Sequence, residues 1–427
     1  MTAASLAARR EQALGAGAAL FYRAPLHIVR GEGVYLFDAE GRRYVDMYNN
    51  VPCVGHANPR VVEAMARQQG TLNVNSRYLH EGVVAFAERL AALHGPAIES
   101  VVFSCSGTEA NEVALRMARF ATGKRGIIFT NGTYHGNSDL VSQLTRTGEG
   151  QPANPELRAI PFPETYRPLR AGASEAELAE AYLDRLRAAI ESLEADGHGL
   201  AAMIVCSIFA NEGLPDVPSG FMARAAEMVR AAGGLMIADE VQAGYGRTGG
   251  WWGYDITGFT PDIVVTGKPM GNGLPLAATA ASRSLVEAFR ARTRYFNTFA
   301  SSPLQAAVGM TVLDVIEGEG LVANAATVGA ELKQALVERK PGWAALGDVR
   351  GHGLFIGVEM VSDPGAKTPD PALAAEVSNR LKDRGFLTAP AGIFGNVVKI
   401  RPPLVFSLAD ADAFLEAFDA TVAELRG

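Results

Sequence analysis

The chain has 427 residues, of which 48% are hydrophobic and 20% are charged. A chain of this length exceeds the roughly 250–300 residues at which single hydrophobic cores stop growing, so more than one domain is predicted. The formal net charge is −7, from 39 Lys and Arg against 46 Asp and Glu, and no Lys/Arg-rich block occurs. This balance argues against nucleic acid or an anionic membrane as a partner. The apolar runs also fall short of the ~18 residues that a membrane span needs.

The cysteines are too few for a disulfide framework and do not have the spacing of a metal site, so no metal is expected. The chain contains three of them, Cys53, Cys105 and Cys206. Residues 1–23 are rich in alanine and include Arg9 and Arg10. A transit peptide is one interpretation, but Glu11 and the scarcity of serine favour a first helix. We predict a cytoplasmic protein.

The N-terminal part, residues 1–60, contains two β-rich runs around turn residues between 27 and 47, which predict a small antiparallel sheet. From Val61 to about residue 304, helical stretches alternate with short strands that are apolar throughout. The predicted strands of this part are 101–105, 126–130, 201–208, 234–240 and 262–268. Strands that are apolar on both faces and separated by helices indicate a mostly parallel sheet with helices on both faces, an α/β fold.

The C-terminal part, residues 305–427, has a different pattern. It reads as helix, a glycine-rich strand at 349–360, helix, a strand in NVVKIRPPL and a final helix. This order predicts a smaller α+β domain, and we expect it to pack with the N-terminal sheet.

Lys268 ends the apolar run DIVVTGK and precedes PMGNGLPLAA. A lysine after a buried parallel strand lies at the carboxyl edge of the sheet, where the active sites of such folds occur. Gly267, Gly271 and Gly273 leave space for a ligand near the backbone. Burial lowers the pKa of a lysine, so that its neutral amine can form a Schiff base with an aldehyde. A surface lysine beside a glycine-rich turn explains this run, taken alone, equally well.

Asp239 ends a second buried run, GLMIAD. A buried carboxylate is costly unless a cation or a proton donor pairs with it. The pyridinium nitrogen of pyridoxal-5'-phosphate (PLP) is such a partner, and a protonated ring is an electron sink. Asp239 precedes Lys268 by 29 residues (268 − 239), enough for one helix or loop unit, so both can face one crevice. The alternative is that Asp239 caps a helix or binds Arg247.

The run SGTE at 106–109 follows a predicted strand and begins an amphipathic helix. Ser106 and Glu109 have the spacing of a capping box. The free amides of Gly107 and Thr108, together with the threonine hydroxyl, suit a phosphate group at a helix N-terminus. Capping alone explains the run equally well, so it indicates a phosphate site only in combination with Lys268.

Together these residues resemble the class III aminotransferases of PLP fold type I. The resemblance extends from about Leu26 to the C-terminus and rests on five motifs in order. They are SGTEANE (106–112), TYHG (133–136), ADEVQAGYGRTG (238–249), TGKPMGNGLPLAA (266–278) and NTF (297–299). The fold implied is a mostly parallel central sheet with helices on both faces, plus a smaller α+β domain built from both termini.

The resemblance also implies a role for individual residues. Lys268 would form the Schiff base with PLP and move a proton between the substrate carbon and the cofactor, while Asp239 would pair with the pyridinium nitrogen. Val241 and Tyr134 would flank the ring, and Gln242 would lie near its phenolic oxygen. The full set of implied cofactor contacts is Ser106, Gly107, Thr108, Tyr134, His135, Asp239, Val241, Gln242, Lys268 and Thr298. Thr298 would reach the cofactor of a neighbouring subunit, which predicts a homodimer.

Departures from the family pattern concern the substrate. Many relatives have a Glu-Pro-Val-x-Gly-Glu stretch, and Cys206 and Asn211 stand at the positions of its two glutamates. In relatives that use 2-oxoglutarate the second glutamate commonly pairs with a switching arginine, whose position is Lys399 here. Lys399 as a point charge, or Arg401 as a bidentate fork, is predicted to bind a substrate carboxylate. A surface cation on a strand is the alternative for each.

The predicted function is transfer of an amino group from an amine or amino acid, with the amine in an α, β or ω position, to a keto acid such as pyruvate or 2-oxoglutarate. By family analogy, Tyr48, Asn50 and Tyr78 are predicted to line the substrate entrance. The runs NNVPCVGHANP (49–59), SIFANEG, FNTF and KIRPPL resemble a subgroup that includes both alanine–glyoxylate-type transaminases and phospho-lyases of amino alcohol phosphates. A phospho-lyase is therefore the alternative, and an aminomutase or racemase is a third.

Overall fold

The helices and strands follow the alternation that the hydrophobic pattern predicts. The computed structural model describes residues 3–145 and 153–426. Its α-helices are α1 Ala3–Leu14, α2 Pro59–Gln69, α3 Glu81–Ala92, α4 Gly107–Thr122, α5 Asp139–Ser142, α6 Glu175–Ala195, α7 Phe221–Ala231, α8 Gly253–Thr257, α9 Arg283–Arg292, α10 Pro303–Gly318, α11 Leu321–Arg339, α12 Pro371–Asp383 and α13 Leu408–Arg426. Its strands are β1 Ile28–Glu32, β2 Tyr35–Asp38, β3 Arg43–Asp46, β4 Ser100–Ser104, β5 Gly126–Thr130, β6 Leu157–Ile160, β7 Leu200–Cys206, β8 Leu235–Asp239, β9 Ile263–Thr266, β10 Ala277–Ala281, β11 Leu346–His352, β12 Phe355–Asp363, β13 Thr368–Pro369, β14 Phe386–Leu387, β15 Ala389–Ala391 and β16 Val397–Ile400.

Seven strands form the central sheet in the order β4-β10-β9-β8-β7-β5-β6. The neighbours from β9 to β6 are parallel, and β10 is antiparallel to both β9 and β4. The predicted mostly parallel sheet is therefore confirmed. The hydrophobic pattern does not predict β6 or β10, because β6 has four residues and β10 is the run AATAA, which is poor in β-branched residues.

Both faces of this sheet are buried. Ile127 and Phe129 of β5 pack into one hydrophobic cluster with α4 and α9. Ile128, between them, packs into a second cluster with α6 and α7. Because successive side chains of a strand point to opposite faces, the continuous apolar runs of the sequence follow directly from helices on both sides.

Helix α4 begins directly after β4 and positions the start of the site. Ser106 is its N-cap and accepts a hydrogen bond from the amide of Glu109. The helix ends at Gly123, which has a left-handed backbone (φ 69°) that favours glycine. The cap and the end glycine fix the helix against the sheet, with its first turn at the carboxyl end of β4.

Two smaller sheets accompany the central one. The antiparallel strands β1–β3 form the small N-terminal sheet that the sequence predicted, and β14 joins it in parallel to β3. This pairing connects the two ends of the chain. The second sheet has the order β11-β12-β16-β15. Domain boundaries at residues 60 and 304 stay a prediction.

The prediction of one strand at 349–360 was wrong. The structure forms an antiparallel hairpin there, β11 and β12, with a register that runs from Leu346 opposite Met360 to His352 opposite Phe355. Gly353 turns the chain with φ +54°, and a β-carbon there would lie 2.5 Å from the backbone of Thr248. Within residues 3–145 and 153–426, no helix combines the length and the apolar character required to traverse a lipid bilayer.

Candidate active site

A cavity of about 270 Å³ lies at the carboxyl ends of β4, β7, β8 and β9. This is the edge where active sites of parallel α/β sheets occur. The predicted cofactor residues that line it are Ser106, Gly107, Thr108, Tyr134, His135, Asp239, Val241, Gln242 and Lys268. Lys268 and Asp239 thus share one pocket, although 29 residues separate them in the chain.

Lys268 follows β9 and is partly buried. Its ammonium group forms no hydrogen bond within the described part of the chain, so the nitrogen is available to a ligand in the cavity. Burial lowers the pKa of Lys268, and the positive charge of Arg401 lowers it further, while Asp239 acts in the opposite direction. A lysine in this state has a neutral, nucleophilic amine at a lower pH than a surface lysine.

Asp239 ends β8 and is 4% exposed. Its Oδ2 accepts a hydrogen bond from Nδ2 of Asn111 at 2.9 Å and lies 2.7 Å from Nδ1 of His135. Its Oδ1 accepts one from the amide of Val241 at 2.9 Å. Burial opposes ionisation, but these hydrogen bonds outweigh it and lower the pKa of Asp239. The site therefore holds a buried negative charge that faces the cavity.

The first turn of α4 forms another wall of the cavity. The amides of Gly107 and Thr108 donate no hydrogen bond to any described residue, as expected for the first turn of a helix. A β-carbon on Gly136 (φ +141°) would lie 2.4 Å from Oγ1 of Thr108, so the backbone passes close to this turn. Two free amides at a helix N-terminus suit an anion such as a phosphate.

Val241 narrows the cavity from one side. A β-carbon on Gly107 would lie 3.0 Å from Cγ2 of Val241, and one on Gly267 would lie 3.2 Å from its Cγ1. Tyr134, which is 40% exposed, lines the same cavity. The space is therefore bounded by an aliphatic side chain and an aromatic one, and the glycines keep it open.

Three buried cations lie beyond the cavity. Lys399, Arg401 and Arg247 are 3%, 6% and 1% exposed. Burial lowers the pKa of all three, to about 7 for Lys399, about 10 for Arg401 and about 9 for Arg247, and Arg401 lowers it further in the other two. The three basic groups thus lie in one buried region, and the carboxyl group of Asp46 interacts with both arginines.

Arg401 is not free to act as the predicted fork. Its Nε and Nη2 donate to the carbonyl of Tyr48 at 2.9 and 2.7 Å, and its Nη1 donates to the side chain of Gln242. The ammonium group of Lys399 forms no hydrogen bond with any described residue; its recorded contact is with the ring of Phe355, 5.7 Å from Nζ to the centroid. Of the two predicted carboxylate ligands, Lys399 is therefore the one whose charged group has no hydrogen bond with a described residue.

None of the five predicted substrate residues lines this cavity, and Thr298 does not line it either. Asn50 is buried. Its Nδ2 donates to the carbonyl of Gln242 and its Oδ1 accepts from Nε of Arg247, so it stabilises residues next to the cavity. Tyr48 presents its carbonyl to Arg401. Tyr78 is 68% exposed, and Thr298 also lies on the surface.

Several residues of the site were not predicted. Asn111 holds Asp239, and Thr133 and Glu212 lie behind His135. The signal for Asn111 is a polar residue on the apolar face of α4, between Ala110 and Val113. The cavity wall also includes Val51, Cys105, Gly136, Leu274, Pro275 and Leu276, together with Gly273, which the sequence predicts to leave space for a ligand.

The positions of the two family glutamates are also part of the site. Cys206 ends β7 and lines the cavity, and burial raises the pKa of its thiol. Asn211 donates from Nδ2 to the carbonyl of Tyr134 at 3.5 Å. Neither residue is a carboxylate, and the acidic group that interacts with Lys399 is Glu212.

This fold and this site define a class of enzymes: an α/β sheet that brings a lysine, a buried carboxylate and a helix N-terminus to one pocket. The family model of the class III aminotransferases matches residues 20–422. The chain is 38% identical over 419 residues to "Alanine--glyoxylate aminotransferase 2-like" of Drosophila melanogaster, which covers 96% of this chain and 85% of that protein. It is 33% identical over 416 residues to "Ethanolamine-phosphate phospho-lyase homolog 1" of Caenorhabditis elegans, which covers 93% and 89%. The chain belongs to the class III aminotransferase family.

A solved structure supports the same family. A phospholyase from Arthrobacter, in complex with phosphoethanolamine, is 41% identical to this chain and superposes with a TM-score of 0.94, covering 98% of this chain and 99% of that one. The protein is therefore a PLP-dependent enzyme of fold type I. The residues present fit this cofactor, because Asp239 is a buried acid of lowered pKa that lines the cavity with Lys268, and the first turn of α4 lines the same cavity with free amides.

Proposed function

We propose that this protein transfers the amino group of a small amine or amino acid to a keto acid, and that its substrates carry an anionic group. The observation that carries the proposal is the shared cavity of Lys268 and Asp239. One side chain supplies a free amine of lowered pKa, and the other supplies a buried negative charge. Membership of the class III aminotransferase family supports the reaction class.

Each side chain of the site has a proposed role. Bound PLP supplies an aldehyde and an electron-withdrawing ring. Lys268 would hold the aldehyde through Nζ and would move a proton at the substrate carbon. Asp239 would keep a proton on the ring nitrogen, and the amides of Gly107 and Thr108 would hold the phosphate. Val241 and Tyr134 line the cavity that would receive the ring.

The proposed active unit is a homodimer in which Thr298 contributes to the cofactor site of the partner. The exposed position of Thr298, outside the cavity of its own chain, supports this assignment. Its neighbours Phe296 and Phe299 are 39% and 75% exposed, as expected of side chains that a second copy covers. The cytoplasmic location stays a prediction.

Lys399 is proposed to bind the anionic group of the substrate. It is buried and electrostatically coupled to Lys268, and its ammonium group forms no hydrogen bond with a described residue. An anion beside it would offset the cost of burying the charge. Arg401 supports the positive potential but already donates to Tyr48 and Gln242.

Replacing Lys399 by Met should weaken the binding of a simple carboxylate such as propionate by about tenfold or more, since a charge-assisted hydrogen bond contributes roughly 1.5–3 kcal/mol. The pKa of Lys399 is about 7, so in the wild type the inhibition constant for propionate should rise as pH increases through that value. The measurement is competitive inhibition between about pH 6 and about pH 8.

The matched control is Lys340→Met, which removes a half-exposed lysine that lies 3.6 Å from Asp348. This variant should show the wild-type inhibition constant and its pH dependence. Equal inhibition constants in the Lys399 variant and the wild type would reject the assignment of Lys399.

A phospho-lyase is the second candidate function. The favouring observation is the electropositive group of Lys399, Arg401 and Arg247, which matches the double negative charge of a phosphate monoester. The similarity to the Arthrobacter phospholyase supports it as well. In this reaction Lys268 would take the proton from the amine-bearing carbon, the bond from the β-carbon to oxygen would break, and inorganic phosphate would leave. Addition of water would then release ammonia and an aldehyde.

One experiment separates the two functions. The holoenzyme is incubated with phosphoethanolamine, and in parallel with a panel of amines and amino acids, each with and without pyruvate or 2-oxoglutarate. Amino transfer requires the keto acid and yields alanine or glutamate, which chromatography measures. If phosphate appears from phosphoethanolamine without a keto acid and no amine in the panel transfers its amino group, the proposed function is rejected in favour of the second.

A further inference from the structure

Arg401 does not line the cavity, but it contacts a side chain that does. Gln242 lies at the cavity wall directly after Val241 and is 7% exposed. Its Oε1 accepts a hydrogen bond from Nη1 of Arg401. Its Nε2 donates to no residue in the described part of the chain. One end of this amide is therefore occupied by the protein, and the other end is available to a ligand.

The guanidinium group of Arg401 is itself fixed. Its Nε and Nη2 donate to the carbonyl of Tyr48 at 2.9 and 2.7 Å, and its backbone amide donates to the carbonyl of Met47 at 2.6 Å. Its central carbon lies 5.2 Å from the ring centroid of Tyr48 and 5.2 Å from that of Phe355. These contacts hold the planar group in one orientation, with Nη1 towards Gln242.

The segment after β3 holds Gln242 at a second point. Nδ2 of Asn50 donates to the backbone carbonyl of Gln242 at 2.9 Å. Oδ1 of Asp46 accepts a hydrogen bond from the amide of Tyr48 at 3.0 Å, which fixes the start of this segment. The segment thus holds the backbone of Gln242 through Asn50 and its side chain through Arg401.

The chemistry of the two side chains determines which way the amide faces. A guanidinium group has donors only, so it pairs with the oxygen of an amide and not with its nitrogen. With Oε1 bound to Arg401, the NH2 group of Gln242 is the end that remains for the cavity. We propose that Arg401 is a positioning residue that fixes the amide of Gln242 so that Nε2 donates a hydrogen bond to the bound cofactor.

The atom of PLP that receives this hydrogen bond follows from the other proposed contacts, on which this step rests. The polar groups of PLP are the ring nitrogen, the aldehyde, the phosphate and a phenolic oxygen. Asp239, Lys268 and the first turn of α4 are the proposed partners of the first three. The phenolic oxygen is an acceptor next to the aldehyde, and it is the group that a free donor at Gln242 suits.

A hydrogen bond to the phenolic oxygen has a measurable effect. Negative charge on that oxygen stabilises a proton on Nζ of Lys268, and a donor that shares the charge weakens this stabilisation. Gln242 should therefore lower the pH at which the bound cofactor loses this proton and changes its absorbance. Loss of the donor should raise that midpoint.

Arg401 also acts through its charge. The ionisable groups that interact with it are Asp46, Tyr48, Cys206, Arg247, Lys268 and Lys399. Its positive charge lowers the pKa of Lys268, which is the same direction as the effect proposed for the hydrogen bond. A double-mutant cycle separates the two effects, because only the hydrogen bond depends on Gln242.

The cycle compares the holoenzymes of the wild type, Arg401→Met, Gln242→Leu and the double variant by the pH midpoint of the cofactor absorbance. Gln242→Leu should raise the midpoint by about one unit, the equivalent of one hydrogen bond to a charged group. Arg401→Met should raise it more when Gln242 is present than when it is Leu. The difference should be about half a unit to one unit, which corresponds to the cost of ordering one side chain.

Lys399→Met is the matched control. It removes another buried cation that interacts with Lys268 but forms no hydrogen bond with Gln242. Its effect on the midpoint should be the same with Gln242 and with Leu at that position.

A measurement on the wild-type holoenzyme covers the case in which Arg401→Met does not fold. Glutamine is labelled with 15N, and Gln242→Glu, which keeps the side-chain shape, identifies the signal of Gln242. Its side-chain amide protons should show a nuclear Overhauser effect to the bound cofactor. The absence of that effect would contradict the inference.

Two results of the cycle would overturn the inference. Equal effects of Arg401→Met in both backgrounds would mean that Arg401 acts by its charge alone. An unchanged midpoint in Gln242→Leu would mean that Gln242 donates no hydrogen bond to the cofactor. The midpoint is measured without substrate, so a protein that shows the expected cycle but transfers no amino group would reject the proposed function and leave this inference intact.

Discussion

The variant Lys268→Ala should lose turnover by about 10³-fold or more while the fold is retained. The lysine is proposed both to hold the cofactor covalently and to move the proton of the substrate carbon, and a positioned acid–base group alone contributes roughly 10²–10⁴-fold. Its side chain forms no hydrogen bond with a described residue, so its removal leaves no buried partner unpaired. The measurements are steady-state turnover and reduction with borohydride, which should attach the cofactor to the wild type and not to the variant.

Lys399→Met is the matched control for this prediction, because it removes a second lysine that is coupled to Lys268 in the same region. It should still retain the cofactor on treatment with borohydride. Covalent attachment in Lys268→Ala, or turnover within tenfold of the wild type, would remove Lys268 from its proposed role.

The variant Asp239→Asn should reduce turnover by about 10²–10⁴-fold, as expected when a charge next to the reacting group is lost. An amide has nearly the same shape, but it carries no charge and would place a donor group where the ring nitrogen needs an acceptor. The three contacts of Asp239, from Asn111, His135 and the amide of Val241, all suit a carboxylate. Turnover and the pH dependence of the absorbance of the bound cofactor are the measurements.

Asp255→Asn is the control, since Asp255 lies in the exposed part of α8 and does not line the cavity. It should behave as the wild type in both assays. If Asp239→Asn retained wild-type turnover and the wild-type absorbance profile, the charge at this position would have no part in the reaction.

Much of the fold was readable from local patterns. Continuous apolar runs marked the buried strands, and the SGTE run marked the capped start of α4, because burial and capping act over a few consecutive residues. Because these patterns cover only a few consecutive residues, they do not predict features that depend on distant parts of the chain. The glycine-rich run around Gly353 predicts one strand, whereas the structure has a turn there that depends on packing, because a β-carbon at this position would lie 2.5 Å from the backbone of Thr248.

The side-chain contacts of the site were also less predictable than the residues that form it. Arg401 was predicted as a free fork for a carboxylate, but the carbonyl of Tyr48, 353 residues away, occupies it. Asn111 and His135 reach Asp239 across 128 and 104 residues. These hydrogen-bond pairs depend on how the sheet and the helices pack, so they cannot be predicted from the spacing of residues along the chain.

The sequence by itself determined which residues stand at the carboxyl edge of the sheet and which chemical groups they bring: an amine at Lys268, an acid at Asp239 and free amides at Gly107. It did so because the order of strands and helices is encoded in the period of apolar residues. Only the tertiary structure decided that Arg401 is held by hydrogen bonds, while the ammonium group of Lys399 has no hydrogen bond with a described residue. The state of a buried polar group depends on the donors and acceptors that packing brings around it, and those come from distant parts of the chain.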